Sequence, residues 1–169
     1  MCADILRLIK SNQTCTFHRA FDVCSDWQRC FEQLDRLGFY RLLSSGQQPN
    51  AYDGRQLLAQ LVEISQQRNV SLRRVMPGAG VNASNLRAIL EETKCVEFHA
   101  SCRLRRESRA LPNENKSHQQ QQSKIISMSS VQSDEDRIFV TDKSKVIEMV
   151  NIFNDVHLQQ QQSQKKLSS

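Results

Sequence analysis

Apolar residues in this chain recur in two rhythms, one of helices and one of strands. Over residues 27–37 they fall at Trp27, Cys30, Phe31, Leu34 and Leu37, the spacing of one helix face. Asp26, or Ser25, stands where an N-cap belongs, and Gly38 where a left-handed C-cap belongs. Ahead of it, 14–18 reads as a short strand, and 4–10 as one or two turns of amphipathic helix with Ile5, Leu6 and Ile9 together. A second unit pairs a strand over 39–44, ending at Ser45-Gly46, with a helix over 54–67 bearing Leu57, Leu58, Leu61, Val62 and Ser65. A third runs from a strand over 70–76, through the turn Pro77-Gly78-Ala79-Gly80, to a helix capped by Asn82 and bearing Leu86, Ile89, Leu90 and Thr93. A strand over 95–100 opens the fourth.

Regularity then stops. Residues 103–137 hold Arg103, Arg105, Arg106, Arg109, a proline and a Gln-rich run, and are expected to form an irregular insert loop. Order resumes at 138–140. Thr141 or Asp142 then caps a last helix with Val146, Met149, Val150, Phe153 and Val156. The expected domain spans 1–157, and the polar tail 158–169 is expected to be disordered.

Strand followed by helix, repeated, predicts an α/β fold with a parallel sheet and right-handed crossovers. An open doubly wound sheet competes with a (βα)8 barrel, which needs eight units and ~250 residues. Four units fit in the 169 residues here. The 23 Lys+Arg against 18 Asp+Glu leave a formal charge of +5, with the basic residues scattered. That balance points to neither nucleic acid nor membrane as a partner. No run nears the ~18 apolar residues of a membrane helix, and the first ten residues lack a signal-peptide layout, so a cytoplasmic location is expected. Cys2, Cys15, Cys24, Cys30, Cys95 and Cys102 include no C-x-x-C, and read as free thiols in a reducing compartment.

In parallel α/β folds the chemistry gathers at the carboxyl ends of the strands. Here those ends are polar or glycine-rich: 16–22, 44–46, 76–80 and 97–103. Strand alternation puts Thr16 with His18, and Glu97 with His99, on one face, and turns Phe17 and Phe98 toward the helices. His18, Asp22, Glu97 and His99 are possible acids and bases. No Ser/His/Asp order or paired-carboxylate spacing singles them out, so the reading leans away from an enzyme.

The same strand ends carry a family resemblance. Thr16-Phe17-His18-Arg19-Ala20-Phe21-Asp22, Arg41-Leu42-Leu43-Ser44-Ser45-Gly46, Val75-Met76-Pro77-Gly78-Ala79-Gly80-Val81 and Glu97-Phe98-His99-Ala100-Ser101 resemble, in order, signatures of the CutC copper-homeostasis family. The likeness covers roughly 1–103 and 125–156. It implies a TIM barrel of which this chain carries strands five to eight, a partial barrel with both sheet edges unpaired. A homo-oligomer, or else poor solubility, is the expected consequence. The chain departs from the family at Ala79, where three glycines are usual, and at Met128-Ser129, where Met-Gly is usual. An alanine held at positive φ costs about 1 kcal/mol.

The resemblance implies cytoplasmic copper binding or buffering. Cu(I) favours thiolate, thioether and imidazole ligands. His18, His99, Cys102 and Cys24 are the candidate ligands at that rim, the alternative being histidines that only hydrogen-bond. A barrel of this kind also binds phosphate through the loops after strands seven and eight. Gly78, Gly80, Ser101 and Arg103 would hold the anion here, making the alternative a TIM-barrel enzyme acting on a phosphate-bearing small molecule. An inactive, truncated isoform is the third reading.

Overall fold

The computed structural model describes residues 4, 6–8, 10, 12–67, 70–107 and 137–167. Of the expected helix over 4–10, Ile5 and Ile9 lie outside the described residues, as do Met128-Ser129 and the Gln-rich run. The chain runs β1 (Thr16–Phe17), a 3-10 turn (Arg19–Val23), α1 (Trp27–Leu37), β2 (Arg41–Ser44), α2 (Arg55–Ser65), β3 (Arg74–Pro77), α3 (Ala83–Thr93), β4 (Arg103–Glu107), β5 (Arg137–Thr141) and α4 (Lys143–Leu167).

The result is a mixed α/β fold around a parallel sheet. β1, β2 and β3 lie side by side in that order, with Thr16 opposite Arg41 and Leu42 opposite Val75. Leu42, Ser44, Val75 and Pro77 are buried, while Arg41, Leu43, Arg74 and Met76 on the other face are half-buried. The buried face packs with Phe31 and Leu34 of α1, Leu58 and Leu61 of α2, Leu86, Ile89 and Leu90 of α3, and Met149 and Val156 of α4 in one apolar core. These lie on the stripes the sequence periodicity marks out, although Leu37, Val146 and Val150 of those stripes are exposed.

Local signals also set the helix ends. Asp26 Oδ1 accepts the Arg29 amide at 3.0 Å, and Gly38 closes α1 with φ +85. Asn82 and Asn85 form a reciprocal capping box at the start of α3. Asp142 Oδ1 accepts the Lys145 amide at 3.1 Å at the start of α4.

Three expectations need correction. Residues 95–100 form no ladder strand. The Cys95 amide donates to Thr93 Oγ1, and the backbone of the segment bonds to β3 where the His99 amide donates to the Pro77 carbonyl at 2.8 Å. The stretch expected to be an irregular insert begins with a strand, β4, which pairs antiparallel with β5, where order was expected to resume; residues 108–136 lie outside the described residues. Leu104 faces Val140 and Arg105 faces Phe139, so the ladder satisfies backbone groups that composition alone would leave to solvent. Finally, α4 continues through the expected tail to Leu167. Glutamine is a good helix former, and Gln160 Nε2 anchors the extension by donating to the Leu90 carbonyl at 3.4 Å.

Candidate functional site

The loops after β1 and β2 are tied together at one carboxylate. His18 ends β1 and caps the 3-10 turn, its Nδ1 accepting the Ala20 amide at 3.0 Å. That turn carries Asp22 to the end of β2. There Asp22 accepts from Ser44 Oγ at 2.6 Å, Ser45 Oγ at 2.9 Å and the Ser45 amide at 3.0 Å, and pairs with Arg19 at 2.8 Å. Burial alone would raise the Asp22 carboxyl. Hydrogen bonds from Ser44, Arg19 and Ser45 outweigh it and hold the group below the usual carboxylate value. Asp22 is therefore a fixed anion that positions the two loops, not a free base.

At Gly78 the loops leave little room, and a side chain there would have to displace the tip of Leu43. A Cβ on Gly78 would lie 2.5 Å from Leu43 Cδ1 and 3.4 Å from His99 Cβ. Ala79 adopts φ +79 and Gly80 φ +68, so alanine does occupy the left-handed position expected of it.

On the half-buried face of the sheet, Arg41 grips Glu97 through both Nε and Nη2, and Arg74 Nε stands 3.8 Å from the same carboxylate. Arg41 also reaches Thr16 Oγ1 at 3.3 Å. Thr16 and Glu97 thus both meet Arg41, and Glu97 is occupied by two guanidiniums. Neither arginine was singled out from the sequence. Their odd positions in β2 and β3 are the signal that could have found them.

The four candidate metal ligands fall in separate places. His18 caps its turn, and exposed His99 packs beside Gly78. Cys24 is held by Gln47, whose Nε2 donates to its Sγ at 3.3 Å and its carbonyl at 2.7 Å. It neighbours Cys30, whose thiol is pushed up to about 11 by burial and then by Cys24. Cys102, in the left-handed region at φ +47, turns its Sγ to within 3.6 Å of Met149 Sδ. No three His, Cys, Asp or Glu side chains gather as a metal cage among the described residues. Cys24 and Cys30 make one soft pair among the described residues, and Cys102 makes another with Met149, which lies on the apolar stripe of the last helix.

A cavity of about 390 Å³ opens against this sulfur pair. Gly80, Ser101, Cys102, Arg103, Lys145 and Met149 are among its lining. Three of the four expected anion-binding residues therefore meet there, while Gly78 faces Leu43 and His99 instead. Lys145 joins them from α4, a contribution that only the packing of that helix reveals. Among the described residues, no helix is long and apolar enough to cross a membrane.

A parallel α/β protein with its polar loops gathered at the strand ends is the class this fold and site define. The profile of the CutC family matches residues 3–104. The chain belongs to the CutC family. The "family protein CutC" of Histophilus somni (strain 2336) is 35% identical over 140 residues, covering 83% of this chain and 52% of that protein. The "Copper homeostasis protein cutC homolog" of Drosophila melanogaster is 51% identical over 89 residues, covering 51% of this chain and 32% of that protein. That of Mus musculus is 44% identical over 93 residues, covering 55% of this chain and 33% of that protein. The chain spans about a third to a half of the length of these relatives.

Proposed function

We propose that this chain acts in copper homeostasis as a cytoplasmic Cu(I)-binding protein. We further propose that its strand–helix units are about the last four of an eight-unit barrel. The names of the fly and mouse relatives support the first part. The observation that carries it is the Cys102–Met149 pair, a thiol and a thioether 3.6 Å apart at the wall of a cavity. Both are soft donors that Cu(I) favours over oxygen ligands. Cys24, His18 and His99 are secondary ligands in this reading, and His18 presents Nε2 because Nδ1 already accepts a hydrogen bond.

Copper titration of the full chain under reducing conditions tests this. Cys102→Ser is expected to weaken Cu(I) binding at least about tenfold, and Cys24→Ser less, since thiolate is the preferred donor. Equal binding by the wild-type chain and a Cys102→Ser/Cys24→Ser chain defeats the reading.

The second reading is an enzyme acting on a phosphate-bearing small molecule. The meeting of Gly80, Ser101, Arg103 and Lys145 in one cavity favours it. It expects inorganic phosphate to shift backbone amide resonances of those four residues, and a phosphate titration that leaves them unmoved rejects it. A homo-oligomer closing the sheet belongs to the first proposal, because β1 has a ladder partner on one side only among the described residues. Elution as a monomer in size-exclusion chromatography counts against it.

A further inference from the structure

We propose that the cavity beside Cys102 receives Cu(I) as its complex with a small acidic thiol, whose carboxylates Arg103 and Lys145 hold. This rests on the copper reading above and names the form in which the metal arrives.

The charge around the sulfur pair is the first argument. Arg103 and Lys145 both line the cavity that Cys102 and Met149 close. Lys145 Nζ donates to the Arg103 carbonyl at 2.8 Å, which fixes its ammonium at the rim. The Arg103 guanidinium lies 5.7 Å from the centre of the Phe139 ring, which steadies it on the adjacent strand. With Glu148 opposing them across the same lining, Arg103 and Lys145 leave the cavity one net positive charge, which disfavours a bare cation beside the soft-donor pair. They suit a copper complex that carries negative charge of its own. Glu148, which also lines the cavity one turn along α4, is placed to take an ammonium group of the same carrier.

Size is the second argument. A bare ion needs no more room than its ligands enclose, yet the cavity holds about 390 Å³. That is the scale of sites that take small organic molecules, roughly 300–1,000 Å³. The start of α3 contributes little to anion binding, because the Ser84 amide already donates to Asn82 Oδ1 at 3.0 Å. Recognition therefore falls to the side chains of Arg103 and Lys145.

Transfer is a ligand exchange with no change in oxidation state. The Cys102 Sγ–Cu(I) bond forms as the carrier sulfur–Cu(I) bond breaks. The Cys102 thiol proton passes to the departing thiolate, and the carrier leaves as a free thiol. Met149 Sδ supplies a further soft contact to copper that remains +1 throughout.

The test compares anaerobic copper transfer to the full chain from two donors, the Cu(I) complexes of reduced glutathione and of mercaptoethanol. The first carries carboxylates and an ammonium, and the second is a neutral thiol. In an Arg103→Ala/Lys145→Ala chain, the glutathione rate relative to the mercaptoethanol rate is expected to fall about tenfold, as befits two lost charge-assisted contacts. Added salt is expected to lower that ratio in the wild-type chain and not in the variant. Both side chains are exposed, so the variant should fold, and Lys145→Arg should restore part of the preference. An unchanged ratio in the double variant overturns the inference while leaving copper binding intact. Transfer from both donors that is unaffected by Cys102→Ser overturns the copper reading itself.

Discussion

A Gly54→Ala chain is expected to lose about 3 kcal/mol of stability or more, the upper range of overpacking where backbone cannot yield. A Cβ at Gly54 would fall 1.9 Å from the Ser45 carbonyl oxygen and 2.9 Å from Gly46 Cα. The obstacle is backbone on both counts, so no rotamer change relieves it. The Gly54 carbonyl also accepts the first-turn amide of Leu58 at 3.0 Å, and moving it unseats the start of α2. Gly38→Ala is the natural comparison. It meets nothing within 4 Å and bears only the strain of φ +85, about 1 kcal/mol. Urea unfolding of the two variants measures the difference. Similar losses would mean that the loop after β2 does not press on α2 as described.

Asp22→Ala is expected to cost about 3 kcal/mol, because it strands buried donors and one partner of an ion pair. The Asp22 side chain is only 6% exposed, and its removal leaves Ser44, Ser45 and Arg19 without their shared acceptor. The same carboxylate gives the protein an acid limit. Its folded value lies below its ordinary one, so the unfolded chain binds the proton more readily. The stability it contributes is complete above the unfolded value, near pH 4, and is lost as pH falls through the lowered folded value. Asp22→Asn is expected to be less stable at neutral pH and to show a flatter decline below pH about 4. Chemical denaturation across that range checks both, and parallel acid slopes for the two chains would remove Asp22 from the account.

Much of the architecture is written locally. Asp26, Gly38 and Asn82 mark helix ends because capping needs only a side chain or a permissive backbone within three residues. Ala79 reveals its positive φ because it interrupts a glycine turn. The expected strand over 95–100 fails because its apolar pattern says nothing about whether its amides find β3. The pairing of β4 with β5 joins residues as far apart as Arg103 and Thr141, and arginine-rich composition argues against order unless the partner is known. The extension of α4 past 158 is invisible for a similar reason. A glutamine run permits a helix, but the neighbouring helix that offers the Leu90 carbonyl is not written in it.

The sequence alone determined the order of strand and helix through α3, most of the buried stripe of each helix, and the polar character of the strand ends. Those follow from periodicities of two and 3.6 residues, which neighbouring positions fully specify. Only the tertiary structure decided which of those polar residues meet. It set Glu97 against Arg41, Asp22 beneath Ser44 and Ser45, and Cys102 against a methionine 47 positions away. Contacts across such separations depend on the path of the loops and the packing of whole helices, and no local pattern encodes either.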